Sequence, residues 1–269
     1  MQFSLVGAAL AVLDVPEPER KVRRSRAAAS DWRGLRITAI GHGAPPARPA
    51  RPARPELLPP NRVPKRKISA ASAGRIALLH ALAHIELNAI DLAWDIIARF
   101  THEELPRDFY DDWVKVADEE AKHFALLSDR LLELGAVYGD MPAHDGLWQA
   151  AEATADDLLA RLAVVPMVLE ARGLDVTPAM IGKLRGVGDA ASADILQIIY
   201  EEEIGHVTIG RRWFQWLCER RKLEPLTTWQ SLVRHRFRGP LKPPFNEKGR
   251  DEAGLPADYY APLVERSES

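Results

Sequence analysis

Four glutamates stand where a helical chain should carry apolar side chains. Glu86 has Leu82, Ala83, Ala89 and Ile90 at −4, −3, +3 and +4, and Glu120 has Val116, Ala117 and Phe124 at −4, −3 and +4. Glu170 has Pro166, Met167 and Leu174 at those offsets, and Glu203 has Ile199 and Val207 at −4 and +4. On a 3.6-residue repeat such neighbours share the glutamate's face, so each carboxylate is expected to point into a core. An unpaired buried carboxylate costs several kcal/mol, so a fold that buries these four must surround them with positive charge.

Two of the four are followed by a histidine one turn on, in Glu120-Ala-Lys-His123 and Glu203-Ile-Gly-His206. Residues three apart share a helix face, so each pair can offer a carboxylate oxygen and an imidazole nitrogen to one point. The separation of Glu86 from Glu120 nearly equals that of Glu170 from Glu203, so each half reads Glu, turn, Glu-x-x-His. Two lone-Glu helices and two Glu-x-x-His helices are the ligand set of di-iron and di-manganese four-helix bundles. Four carboxylates and two imidazoles suit two divalent metals, because the cations cancel the buried negative charge.

The surrounding text is helical. An apolar stripe predicts a helix over 71–100, Pro106 starts a second over about 107–134, and Gly135 ends it. A third is expected over about 147–172, kinked at Pro166 and closed by Gly173, with Thr177-Pro178 opening a short connecting helix. A fourth is expected over about 189–222. Strand signals are almost lacking, so the fold class is all-α. Ahead of these lie two short helices, 4–13 and about 17–32. From Gly43 to Lys67 comes an extended strap holding eight of the 20 prolines. The tail from Glu224 is expected to wrap the surface. The organisation is thus a basic extension over 1–70, a helical bundle over 71–222 and a tail over 223–269.

Charge follows this division. The extension, 1–70, carries 14 Lys and Arg against five Asp and Glu, a net of +9, while the rest carries 22 against 33, a net of −11. A globally basic nucleic-acid binder is excluded, and the extension is expected to fold onto the acidic body as a cover. Cys218 is the only cysteine, which excludes an intrachain disulfide and a thiolate zinc site. The first residues lack a basic leader, and no segment is expected to be long and apolar enough to span a bilayer. A cytoplasmic protein is expected.

The segments HALAHIELNAIDLAWD, FYDDWVKVADEEAKHFALLSDRLLELGAVYGDMPAHDGLW, VPMVLEARGLDVTP and EEEIGHVTIGRRWFQWL resemble the bacterial ferritin-like family called domain of unknown function 455. The resemblance covers nearly the whole chain, most specifically residues 75–217. It implies a ferritin-like four-helix bundle with a dinuclear centre held by Glu86, Glu120, His123, Glu170, Glu203 and His206. The expected cofactor is two Fe ions, with Mn as the alternative. The expected activity is that of an oxidoreductase activating dioxygen or peroxide on an organic substrate, supplied by an electron donor the sequence does not name. Iron handling as a ferroxidase, a metal-dependent tRNA- or RNA-modifying hydroxylase, and a scaffold with a vestigial site are the alternatives. Neither a membrane nor a nucleic acid is an expected partner, and a homodimer is compatible with the reading.

Further residues carry two readings each. Glu119 and Glu202 precede ligand glutamates and either accept the outer N–H of a ligand histidine or form an exposed acidic face. Tyr200, one turn before Glu203, is either a redox-active phenol at the site or a core tyrosine. His80, His84, Asn88 and Asp91 form a polar stripe that is either a seam against the strap or another subunit, or a second metal site. Arg172 either binds an anionic substrate or pairs with an acidic neighbour, and His144 belongs to a loop.

Overall fold

A computed structural model describes residues 4–63, 68–69 and 71–264. No β-strand occurs among them; three isolated bridges join Ser4 to Ala39, Leu57 to Ala143 and Leu241 to Val264. The chain divides at Trp148 and Gln149 into two compact units.

In the first unit, α1 (Leu5–Leu13) is capped by the Ser4 hydroxyl, which accepts from Gly7 N–H at 3.1 Å. Helix α2 (Pro18–Arg33) opens with Pro18 in its first turn, where a missing N–H costs nothing. Helix α3 (Ser72–Arg99) is buried from Leu78 to Ala98 at all but Leu82 and Ile85. It is long and apolar enough to cross a membrane, contrary to expectation, yet 78% of its most apolar window is buried inside the protein. It is a core helix, and its apolar faces are occupied by neighbouring helices. Helix α4 (Arg107–Glu133) packs along α3 and ends where expected, with Gly135 at φ +79°. There Ala136 N–H donates to Leu131 O and Gly135 N–H to Leu132 O, which satisfies the last carbonyls of the helix.

Helix α1 packs on α3, and α2 lies mainly on α4. Ser25 ties α2 to both long helices, donating to Ala117 O at 3.0 Å and accepting from Trp94 Nε1 at 2.8 Å. The strap is extended over most of 43–63 apart from a 3₁₀ turn at Pro60–Arg62; Pro64 and Lys67 lie outside the described residues. Helix α2 and the strap both pair with acidic positions of the first unit. Arg26 and Arg33 reach Asp118 at 3.5 and 2.8 Å, Arg48 pairs with Asp145, and Arg51 reaches Asp91 at 3.2 Å. Lys21, fully buried on α2, also pairs with Asp91 and donates to Ala50 O at 3.2 Å.

In the second unit the expected 147–172 helix is not continuous. Helix α5 (Gly146–Glu152), which begins in the first unit, stops. The Asp157 side chain then caps α6 (Leu158–Val164) by accepting from Leu159 N–H. Pro166 does not simply kink the rod. Its missing N–H is absorbed in a π-helical turn, Val165–Glu170, that runs straight into α7 (Ala171–Gly186). Nor does Gly173 end a helix or Pro178 start one: α7 passes through both. Helix α8 (Ala190–Arg221) falls where expected and is capped by Asp189, whose side chain accepts from Ser192 N–H. The tail begins as a further helix, α9 (Pro225–Arg236), because Glu224 accepts from Leu226 and Thr227 N–H and Pro225 fits its first position. Two short helices follow, α10 (Glu247–Glu252) and α11 (Ala257–Tyr260).

Gly210 is where α8 meets the π turn. A Cβ there would stand 2.3 Å from Pro166 Cβ and 2.4 Å from its Cγ, closer than two carbons can approach. Gly210→Ala should therefore cost about 1–3 kcal/mol, read as a lower urea midpoint at unchanged m. Asp91→Ala should cost about 3–5 kcal/mol in the same assay, because it leaves Lys21 buried with no carboxylate, and adding Lys21→Met should recover part of it.

Candidate metal centre

Glu86 comes from the middle of α3, and Glu120 and His123 come from one face of α4. His123 Nδ1 stands 3.3 Å from Glu86 Oε2 and 3.5 Å from Glu120 Oε2. One ligand atom from each of the three lies within 4.8 Å of the others, and all three residues are buried. Glu86 Oε2 is buried, with the His123 imidazole beside it. Burial pushes the Glu86 carboxyl well above the usual carboxylate range; the neighbouring Glu120 charge raises it further, and His123 only partly offsets the rise.

Two carboxylates and an imidazole nitrogen converging in a dry interior are poorly served by protons. A divalent cation would neutralise both acids and use the imidazole lone pair, so the group could hold a metal ion.

The second unit repeats the local pattern. His206 Nδ1 stands 3.4 Å from Glu203 Oε1 on α8, matching the spacing of the α4 pair, and both residues are buried. Glu170 is half-buried at the last position of the π turn, one residue before α7. π turns are uncommon and are frequent at functional sites.

The remaining candidates sort by their contacts. Glu119 is half-buried with Lys115 Nζ at 3.9 Å, and Glu202 is half-buried on α8. The Tyr200 hydroxyl accepts from Asn246 Nδ2 at 2.9 Å. Arg172 Nη1 stands 3.4 Å from Asp175 Oδ2 and donates to the carbonyls of Lys242 and Pro244. His144 is in a loop, its Nδ1 accepting from Gly146 N–H.

Of the polar stripe on α3, Asn88 and Asp91 meet the strap through Arg51, while His80 and His84 meet the 138–144 loop. Arg51 donates to Asn88 Oδ1 at 2.6 Å, and Asn88 Nδ2 to His84 O at 2.7 Å. His84 Nδ1 is 2.8 Å from the Tyr138 hydroxyl, while His80 Nε2 accepts from Gly139 N–H at 2.9 Å. Burial, with the Arg51 charge second, lowers the His84 pKa to about 3, so its ring is neutral at physiological pH. Sequence reasoning missed Lys21, Arg51 and Tyr138 as members of this network. The available signal was Lys21, which shares a helical stripe with Ser25, Ala28, Ala29 and Trp32, all buried.

Glu86→Gln should stabilise the metal-free protein by about 0.5–2 kcal/mol, because it removes a buried acid. The same variant should lose the rise in melting temperature that added Mn(II) gives the wild type; an equal rise in both would remove Glu86 from the centre.

The family model described as protein of unknown function, DUF455, matches residues 14–261. A Haemophilus influenzae protein described as uncharacterized is 45% identical over 205 residues, covering 74% of this chain and 70% of the relative. No solved structure matches.

Proposed function

The chain belongs to the DUF455 family, and we propose that it is a ferritin-like dinuclear metal-carboxylate protein, most simply di-iron, acting as an oxidoreductase. The observation that carries this reading is the buried convergence of Glu86, Glu120 and His123. The repeated Glu203–His206 pair supports it, with Glu170 set ahead of Glu203 by nearly the spacing that separates Glu86 from Glu120. In this reading Glu86, Glu120 and His123 hold one metal, Glu170, Glu203 and His206 the other, and manganese can replace iron.

A bound pair of reduced irons would supply two electrons to dioxygen or peroxide, which is the chemistry such carboxylate centres offer. The chain's own residues do the rest. Burial of Glu86, Glu120, His123 and His206 keeps bulk water from the donors and fixes their rotamers against packed helices. Each histidine is held beside its own glutamate by helix geometry, so the donors are arranged before any metal arrives. Glu119 and Glu202 steady the ligand histidines, and Tyr200 offers a phenolic proton one turn from Glu203. The same reading places the protein in the cytoplasm, with a small-molecule oxidant, an organic substrate and an electron donor as partners. It leaves nucleic acid aside, since arginines of the basic extension are engaged by Asp91, Asp118 and Asp145.

Anaerobic Fe(II) loading followed by oxygen, watched by optical and Mössbauer spectroscopy, tests the reading. The wild type should take up about two irons per chain and give a spin-coupled ferric pair. Glu120→Ala should abolish uptake at its site, and unchanged binding in that variant would refute the ligand assignment.

A further inference from the structure

Pro178 lies inside α7, so the carbonyl four residues earlier, Leu174 O, lacks its ordinary helical N–H donor. A buried carbonyl left in that state costs about 1–3 kcal/mol, and Leu174 is fully buried. The donor comes from the C-terminal tail, far along the chain: Asn246 Nδ2 donates to Leu174 O at 3.1 Å. The same amide donates to the Tyr200 hydroxyl at 2.9 Å, and its Oδ1 accepts from Gly249 N–H at 3.2 Å. Every polar atom of the Asn246 side chain is thus engaged, and the amide orientation is set by the Gly249 contact.

The tail is clamped to the same turn of α7 by further contacts. Asn246 N–H donates to Asp175 Oδ1 at 3.1 Å, and Arg250 donates to both Asp175 oxygens at 2.7 and 2.8 Å in a buried fork. The Arg250 guanidinium lies 4.4 Å from the Tyr260 ring centre and 5.0 Å from that of Phe245. Gly249 permits the approach: a Cβ there would stand 2.7 Å from the Tyr200 hydroxyl and 2.8 Å from Asn246 Nδ2. These contacts fall on two places, the α7 turn that follows Glu170 and the α8 turn that precedes Glu203.

We infer that Asn246 is a positioning residue for the second ligand set: it completes α7 across Pro178, joins that helix to Tyr200 on α8, and so holds Glu170 and Glu203 in register. The inference rests on the metal reading above. Asn246 touches no proposed ligand; it acts through the two helices that carry them. Aspartate at 246 could still accept from Gly249 but could not donate to Leu174 O, whereas alanine at 178 would restore the missing backbone N–H within α7.

The test uses the full chain, Co(II) as the metal probe, its visible absorption as the readout, and hydrogen exchange of residues 171–178 in the metal-free protein. Asn246→Asp should weaken binding of the second Co(II) about tenfold and speed exchange over 171–178 by a similar factor, with the first Co(II) unchanged. Adding Pro178→Ala should return both to within about threefold of wild type, a rescue that a general loss of folding would not show. Gly249→Ala keeps both amide donors but forces the tail outward, and should reproduce the loss should Asn246→Asp fold poorly. Two Co(II) bound with wild-type affinity and spectrum in both single variants would overturn the positioning role and leave the metal reading standing. Failure of Pro178→Ala to rescue would also overturn it. A wild-type chain that binds no Co(II) or Fe(II) would overturn the metal reading and the positioning role together, and the exchange data would then report on α7 alone.

Discussion

The structure depends on placing acids in a helical core. Glu86 and Glu120 are buried beside His123, and the carboxyl of Glu86 is driven well above its ordinary range by lost hydration and by the adjacent acid. Such an arrangement reduces stability unless a cation balances it, so it persists where it is used. Their helices are correspondingly well secured. Helix α3 is buried along most of its length, α4 lies against it, and α2 is tied to both through Ser25.

A second buried charge cluster follows the opposite rule. The Asp91 carboxylate is paired with both Lys21 and Arg51, and Asn88, His84 and Tyr138 extend the network by hydrogen bonds. Because its one carboxylate is answered by cationic side chains of the protein itself, Asp91 needs no metal ion, and the cluster serves to lash the strap and α2 to α3. Burial does not by itself distinguish the two clusters; the cationic side chains beside Asp91 do. The stripe His80, His84, Asn88 and Asp91 and the residue Glu86 lie on one helix, with opposite consequences for what each must recruit.

In the second unit, two prolines sit inside one helical rod and each is accommodated by a different neighbour. Pro166 is taken up by a π turn packed on Gly210, and Pro178 by the Asn246 amide of the tail. Both accommodations flank Glu170, so the backbone carrying this acid is shaped by irregularities on either side of it. Both prolines are legible in the sequence as interruptions, one as a kink and the other as a helix start; the folded chain has a π turn at the first and no helix start at the second. A local rule cannot register a donor that arrives from the distant C-terminal tail or a glycine on a facing helix.

Helix positions were largely settled by the sequence alone. The spans of α1 to α4 and of α8 agree with the periodicity to within a residue or two, because amphipathic repetition, caps and the Gly135 stop act over a few neighbouring residues. The Glu-x-x-His pairs were likewise local, since i and i+3 share a face on any helix. Tertiary structure alone decided that Lys21 and Arg51 answer Asp91, that Asn246 answers Leu174, and that Glu86 meets His123 at 3.3 Å. Each of these is a match between a buried group and a partner distant in the chain. Such matches are governed by packing and desolvation, which exist only once the chain has folded.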